Sequence, residues 1–433
     1  MRGGLRIAWA GPWNARSSIA AFGALVVAEL CARGHEVAVF RTETGDFLAL
    51  PPRPAPGPVL PLQDVDPEGV ARGHDAFVVN LGDQYGHHGA AIPALLRVPA
   101  LVVLHDAFLA DLYAGWLAAN GRHSPHAPVL GALYGDAEAE TAEPFMLMPL
   151  EDMALRRPML EWFAALSAGA AVHAEHYAAR VRSACPGPVE VIPLAFEGAA
   201  LPPPREIGRD VVVATVGHVN PNKRGADVLR AVAGSATLRE RVRYRLIGPV
   251  EPAERAALLD LARLLGVPEP EFTGWVEEAD MPRLMADVDA ICCLRNPVLE
   301  GASASLIVAM RSGRPVLVTH HGPYAEVPDG LVLKCRPGAE ATDVRLHLES
   351  LLADPAPIQA MAARARAYAE ATFSAARYAD RLLDLVDRAT VGLPAVRAAR
   401  GLGRILAAFG MAPDDPAGYR IAAALDGLLD RPG

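Results

Sequence analysis

The stretch Leu294–Val318, reading LRNPVLEGASASLIVAMRSGRPVLV, concentrates groups that can do chemistry. A loop carrying Arg295, Asn296 and Glu300 leads through the small residues Gly301 to Ser305 into an apolar helical run, Leu306–Arg311. A small-residue turn that opens a helix is an anion site. Its first backbone N–H groups have no partner inside the helix, and the helix dipole places positive potential at that end. Ser303 and Ser305 add hydroxyls that cap the helix or reach the same anion. Glu300 repels a phosphate, so its carboxylate suits the hydroxyls of the group that the phosphate carries. The combination fits a phosphorylated, hydroxyl-rich ligand, although many α/β proteins use the same strand–turn–helix only to pack a crossing.

Lys223 and Lys334 are the only lysines among 41 basic residues, so a lysine in the loop His218–Gly225 invites explanation. His105-Asp106 ends the apolar run Ala100–Leu104. His320-His321 is not a metal pair, because neighbours along a strand point to opposite faces. His87-His88 likewise reads as loop.

The elements that position these residues alternate between strand and helix. Leu5–Ala10, Glu36–Phe40, Ala76–Asn80, Ala100–Leu104, Ala170–His173 and Val189–Pro193 read as strands, and Ile19–Arg33, stopped by Gly34, as an amphipathic helix. Residues 51–64 are dense in proline and read as an irregular connection; 121–147 receive no assignment. After the linker Leu201–Pro204 the pattern restarts. Strands Asp210–Gly217, Arg243–Ile247, Glu271–Trp275, Val288–Leu294 and Val316–Thr319 alternate with helices Ala226–Val232, Pro252–Leu265 and Asp280–Ala286. Such alternation means two doubly wound α/β domains with parallel sheets, whose ligands bind beyond the strand carboxyl ends. His105, His218 and Glu300 all fall there. A long helical run, Pro355–Val391, closes the second half. The apolar segments Val396–Phe409 and Tyr419–Leu429 follow, separated by Pro413-Asp414-Asp415-Pro416.

Composition narrows the partners. A chain of 433 residues exceeds one compact core, and 52% hydrophobic with 21% charged residues is globular. A net charge of −9 argues against nucleic acid or an anionic membrane as main partner. Cys31, Cys185, Cys292, Cys293 and Cys335 have no metal-ligand spacing and read as buried thiols of a reducing cytoplasm. No signal region or spanning apolar run is expected. No G-x-G-x-x-G follows the first strand, so dinucleotide binding there is poorly supported.

Four blocks carry a resemblance. They are Val216–Arg224 (VGHVNPNKR), Val102–Asp106 (VVLHD), Ala325–Gly330 (AEVPDG), and Glu300 with Val308-Ala309-Met310 and Gly313-Arg314-Pro315-Val316. In their order and spacing the chain resembles family-4 retaining glycosyltransferases of the GT-B fold over roughly residues 5–390. The resemblance implies two Rossmann-like domains facing each other across a cleft. Residues 1–198 would bind the acceptor and 205–372 the nucleotide-sugar donor, with a helix at 373–392 crossing back and a helical tail at 393–433. Lys223 matches the lysine that pairs with the donor diphosphate and stabilises the leaving group. His218 stands where the family usually has arginine. Glu300 matches the first acid of the family's E-x7-E motif, which contacts the transferred sugar.

The second acid is missing, since Val308 holds its place. An apolar side chain accepts no bonds from ribose hydroxyls, a loss of roughly 1–3 kcal/mol if nothing compensates. The resemblance also implies backbone N–H groups from Ser303, Ala304, Ser305 and Leu306 for the diphosphate, and Gly248, Trp275 and Val276 around the base. His105 would face the reacting centre with Asp106 orienting its ring. Arg16, in a loop without the family's glycine pair, is a candidate acceptor or phosphate contact, and Glu326 matches a position near the donor sugar.

The expectation is a cytoplasmic, metal-independent, retaining hexosyltransferase that needs no cofactor beyond its nucleoside diphosphate sugar. Its acceptor is unidentified, and a homodimer through the apolar tail is one use for that segment. The rival is a non-catalytic relative acting as a binding or scaffold subunit. Val308 and His218 favour the rival; the joint presence of Glu300, Lys223 and His105 speaks against it.

Overall fold

A computed structural model of the chain describes residues 4–122, 127–140, 148–198 and 200–411. The tail segment Tyr419–Leu429 and the proline-rich break before it lie outside the described residues. The chain divides into two compact units. The first comprises the chain up to Val172, Tyr177–Ile192 and the chain from Ala379; the second comprises His173–His176 and Pro193–Tyr378.

The first unit carries strands β1 (Arg6–Gly11), β2 (Glu36–Arg41), β3 (Val59–Pro61), β4 (Ala76–Leu81), β5 (Leu101–Leu104), β6 (Gly169–Val172) and β7 (Val189–Val191). They form one sheet in the order β3-β2-β1-β4-β5-β6-β7, parallel throughout. Helix α1 (Ser18–Ala32) follows β1; Ser17 caps it by accepting from the Ala20 N–H at 3.2 Å. Gly34, at φ +87°, then takes a left-handed turn that a Cβ would strain. Helices α2 (Ala91–Arg97) and α3 (Ala110–Ala119) flank β5 in the chain. The proline-dense connection contains β3, three residues paired with the edge of β2. Sequence reading missed it because Pro61 ends it and a short edge strand leaves almost no periodicity.

The second unit restarts the pattern with β8 (Val211–Val216), β9 (Val242–Ile247), β10 (Glu271–Phe272), β11 (Ala290–Cys293), β12 (Val316–Thr319) and β13 (Leu333–Cys335), ordered β10-β9-β8-β11-β12-β13 and again parallel. Its main helices are α4 (Gly225–Ala233), α5 (Pro252–Leu265), α6 (Ala304–Arg311) and α7 (Pro355–Thr372). Side chains on both faces are apolar, as a sheet covered by helices on both sides requires. Val211, Val213, Ala290 and Cys292 pack on one face with Val228, Leu229 and Leu258. Ala214, Val216, Ile291 and Cys293 pack on the other with Leu306, Met310 and Ala365. The adjacent Cys292 and Cys293 therefore point to opposite layers, and all five cysteines are free.

The long closing run is not one helix. α7 stops at Thr372, and α8 (Ala375–Ala408) begins after Phe373-Ser374. α8 then runs unbroken through the position expected to separate a crossing helix from a tail, with Pro394 inside it. Arg400 and Arg404 donate to the carbonyls of Leu95, Leu96 and Arg97, the unpaired end of α2. Among the described residues, no helix is long and apolar enough to cross a membrane.

Candidate functional site

Each sheet reverses its winding once, at β1/β4 in the first unit and at β8/β11 in the second. Ligands of doubly wound sheets bind at such points, beyond the strand carboxyl ends. Lys223 and Glu300 follow β8 and β11 in the second unit, and in the first His105 follows β5.

In the second unit the loop after β8 is built on close backbone approach. Gly217 takes φ +94° and Gly248 φ +140°; a Cβ on Gly248 would lie 2.4 Å from the Gly217 carbonyl oxygen. Only glycine lets the ends of β8 and β9 lie this close. Within that loop Lys223 is buried, 6% exposed, and its Nζ donates to the Val216 carbonyl at 2.5 Å. Burial first, then the positive charge of Arg295, pull its pKa down to about 7. The side-chain oxygens of Asn220 and Asn222 in the same loop are buried and have no partner among the described residues. Orphaned buried acceptors are rare in folded proteins.

The loop after β11 adjoins it: the Asn296 N–H donates to the Asn222 carbonyl at 2.9 Å. Arg295 is buried and donates from Nε to Glu300 Oε1 at 2.7 Å, from Nη1 to the Leu294 carbonyl at 2.7 Å, and from Nη2 to Ser305 Oγ at 3.3 Å. The Tyr324 hydroxyl donates to the same Oε1 at 2.5 Å. Burial pushes the Glu300 carboxyl up, but Arg295 and the Tyr324 hydroxyl outweigh it and hold it below the usual range. Tyr324 is raised well above its ordinary value by burial and the Glu300 charge, so it stays a donor.

The helix α6 N-terminus completes the group. Ser303 caps it, its Oγ accepting from the Leu306 N–H at 3.2 Å and lying 3.1 Å from Ser305 Oγ. This corrects one expectation. The Leu306 N–H serves its own cap rather than a ligand, and the N–H groups of Ala304 and Ser305 are those without a partner among the described residues. Val308 is half-buried on α6.

Other expected donor residues sit further out. His218 is exposed, its Nε2 3.8 Å from Glu251. Trp275 is 61% exposed with its indole N–H on Glu277 at 2.9 Å, and Val276 packs partly into the core. Glu326 receives the backbone N–H groups of Glu175 and His176 at 2.9 and 2.7 Å.

In the first unit the organising residue is Asn80, at the end of β4. Its Nδ2 donates to the Ala10 carbonyl at 3.0 Å, its backbone oxygen accepts from His88 Nδ1 at 3.1 Å, and its Oδ1 lies 3.1 Å from His105 Nε2. Because Nδ2 is committed as donor, Oδ1 is the acceptor and His105 Nε2 carries the proton. Phe22 meets the His105 ring edge-on at 4.8 Å. His88 is buried and neutral: burial, then His87, drive its pKa down to about 3. Asp106 accepts from the Asp83 N–H at 2.9 Å. Asp83 in turn accepts from the first N–H groups of α3, and its pKa is raised by burial and by the charges of Asp111 and Asp106.

Arg16 is exposed on the loop after β1. That loop is held by the fully buried Glu43, whose Oε1 accepts from the backbone N–H groups of Trp13 and Asn14 at 2.7 and 2.8 Å and from Arg41 at 3.2 Å. Asn80, Glu43 and Tyr324 were not singled out from the sequence. For Asn80 the available signal was a lone polar residue within an apolar strand; Glu43 and Tyr324 lie in polar loops that gave none. Among the described residues, no cluster of His, Cys, Asp or Glu is arranged to hold a metal ion.

Two parallel doubly wound sheets, each with its polar cluster at the winding reversal, define the GT-B class, and solved structures of that class share the fold. Anabaena Alr3699/HepE, crystallised with UDP and glucose, aligns at 16% identity over 88% of this chain and 99% of its own, with a TM-score of 0.58. Sucrose-phosphate synthase from Thermosynechococcus elongatus aligns at 16% identity over 89% and 98%, TM-score 0.61. WaaG, a glycosyltransferase involved in lipopolysaccharide biosynthesis, aligns at 16% over 90% and 99%, TM-score 0.52. No curated protein matches the chain. Residues 210–354 match the family described as Glycosyl transferases group 1. The chain therefore has the GT-B fold, and residues 210–354 of its second unit are similar to group 1 glycosyltransferases.

Proposed function

We propose that the protein is a retaining glycosyltransferase that moves a hexose from a nucleoside diphosphate sugar to an acceptor without a metal ion. The observation that carries this reading is Lys223: a buried cation beside a second, Arg295, at the winding reversal of a group 1 glycosyltransferase domain. Lys223 and the free N–H groups at the α6 N-terminus stabilise the departing diphosphate electrostatically. Glu300 presents a fixed carboxylate to sugar hydroxyls. The departing phosphate itself guides and deprotonates the acceptor hydroxyl on the same face of the sugar, so retention needs no covalent enzyme nucleophile. In the first unit His105, fixed by Asn80, serves the acceptor side together with Asp106 and Arg16. The five free cysteines fit a reducing cytoplasm.

HepE's bound UDP makes UDP the first donor nucleotide to test. Calorimetric binding of UDP, GDP, ADP and dTDP to the protein and to Lys223→Ala tests the donor site. One diphosphate should bind and lose affinity in the variant. Transfer of the matching sugar, followed by NMR of the product anomer, then tests retention, and adding a chelator tests metal independence. A second reading, a binding or scaffold subunit, is favoured by Val308 and by the exposed His218. It would lead if no diphosphate bound.

A further inference from the structure

We propose that Arg295 supplies the second cation of the donor diphosphate site, replacing from the β11 loop the arginine that the resemblance places at position 218. This rests on the glycosyltransferase reading above. His218 is exposed and its ring faces Glu251 at 3.8 Å, so it is poorly placed to act as a buried phosphate ligand. Arg295 is buried beside Lys223, and its loop is tied to the Lys223 loop by the Asn296 N–H to Asn222 carbonyl bond at 2.9 Å.

The guanidinium also touches the first turn of α6 through Ser305 Oγ at 3.3 Å. It thus stands at the same helix end as the partnerless N–H groups of Ala304 and Ser305. Three of its five N–H groups are spent on Glu300, Leu294 and Ser305. One N–H on Nη1 and one on Nη2 have no partner among the described residues. Two such guanidinium donors suit a phosphate, whose oxygens accept charge-assisted hydrogen bonds.

The local charge balance points the same way. Lys223 and Arg295 are buried cations, and Glu300 is the carboxylate between them in the sequence of interactions. Cys293 and Tyr324, the other titratable groups of the cluster, are held neutral by burial. With Lys223 protonated the cluster carries one uncompensated positive charge, which is costly away from water and is relieved by an anion. The rival explanation is that Arg295 only neutralises Glu300 and holds it in place.

The test compares UDP, UMP and uridine, or the corresponding series for whichever base the panel selects, on the wild type, Arg295→Gln, Arg295→Lys and Lys223→Ala. Melting temperatures check that each variant folds. Arg295→Gln should lose roughly 10- to 100-fold in affinity for the diphosphate, less for the monophosphate and nothing for the nucleoside. Arg295→Lys, which keeps charge but not the fork, should recover part of the loss and provides the reading if the glutamine variant does not fold. Equal loss across all three ligands, or no loss, overturns the proposal. Diphosphate binding that Lys223→Ala abolishes and Arg295→Gln leaves intact overturns it while sparing the functional reading. Absence of diphosphate binding by the wild type overturns both.

Discussion

Lys223 Nζ donates to the Val216 carbonyl oxygen at 2.5 Å, so the lysine of the loop after β8 is folded back on the strand that precedes it. Its pKa of about 7, against an ordinary 10.5, follows from burial and the neighbouring Arg295. A diphosphate needs the ammonium form. Its affinity should therefore fall as pH rises above about 7, by up to about tenfold per pH unit, with proton uptake on binding. Titration calorimetry across that range, in buffers of different ionisation enthalpy, measures both effects. Lys223→Arg, charged throughout, should flatten the dependence.

The same lysine has a stability signature of opposite use. Its folded-state pKa lies below the unfolded one, so the unfolded chain binds the extra proton between pH about 7 and 10.5 and stability from this group rises with pH across that window. Below about 7 the full cost of burying the ammonium remains. Lys223→Met should melt higher than the wild type near neutral pH, with the gap narrowing as pH rises. A variant that melts lower at every pH would contradict this.

Asn80 fixes which nitrogen of His105 carries the proton. Asn80→Ser shortens the side chain and releases the ring. Turnover should fall by about a hundredfold, the scale for a misplaced reacting group, with nucleotide affinity unchanged. Steady-state kinetics beside nucleotide calorimetry separates the two. A parallel loss of affinity would mean that Asn80 matters only as a structural link between strands.

Val308 offers no acceptor to a ribose. The wild type should therefore bind a 2′,3′-dideoxynucleoside diphosphate nearly as well as the ribonucleotide. Val308→Glu should create a preference for the ribonucleotide of roughly tenfold, the scale of one charge-assisted hydrogen bond. Competition binding of the two ligands reads this directly.

Glu43 is the buried carboxylate that gathers the loop after β1 and faces Arg41. Glu43→Ala leaves Arg41 uncompensated and should cost about 3 to 5 kcal/mol in the first unit. Denaturant unfolding should show an earlier midpoint for that unit with an unchanged slope.

Much of this molecule was legible as sequence because both sheets are parallel and buried, and such strands are continuous apolar runs between polar loops. Lys223 stood out through the scarcity of lysine, and Glu300 through its place before a small-residue turn. What the sequence did not reveal were partners distant along the chain. Tyr324 reaches Glu300 across 24 positions and Asn80 reaches His105 across 25, and neither spacing leaves a local pattern. Arg295 was visible, but nothing in its neighbourhood said that it would be buried rather than exposed. β3 and the continuity of α8 were obscured by prolines, which the chain tolerates at an edge strand and within a long helix.

The arginines of α8 that close the end of α2 have a consequence for how the protein is made. Both pieces of the second unit, His173–His176 and Pro193–Tyr378, precede the last portion of the first, which begins at Ala379. On the ribosome that inner unit is complete while the outer one still lacks the guanidinium groups of Arg400 and Arg404. The usual order, in which the leading domain matures before the next is synthesised, is inverted here. The α2 carbonyls of the early-made sheet stay open to water until Arg400 and Arg404 have emerged.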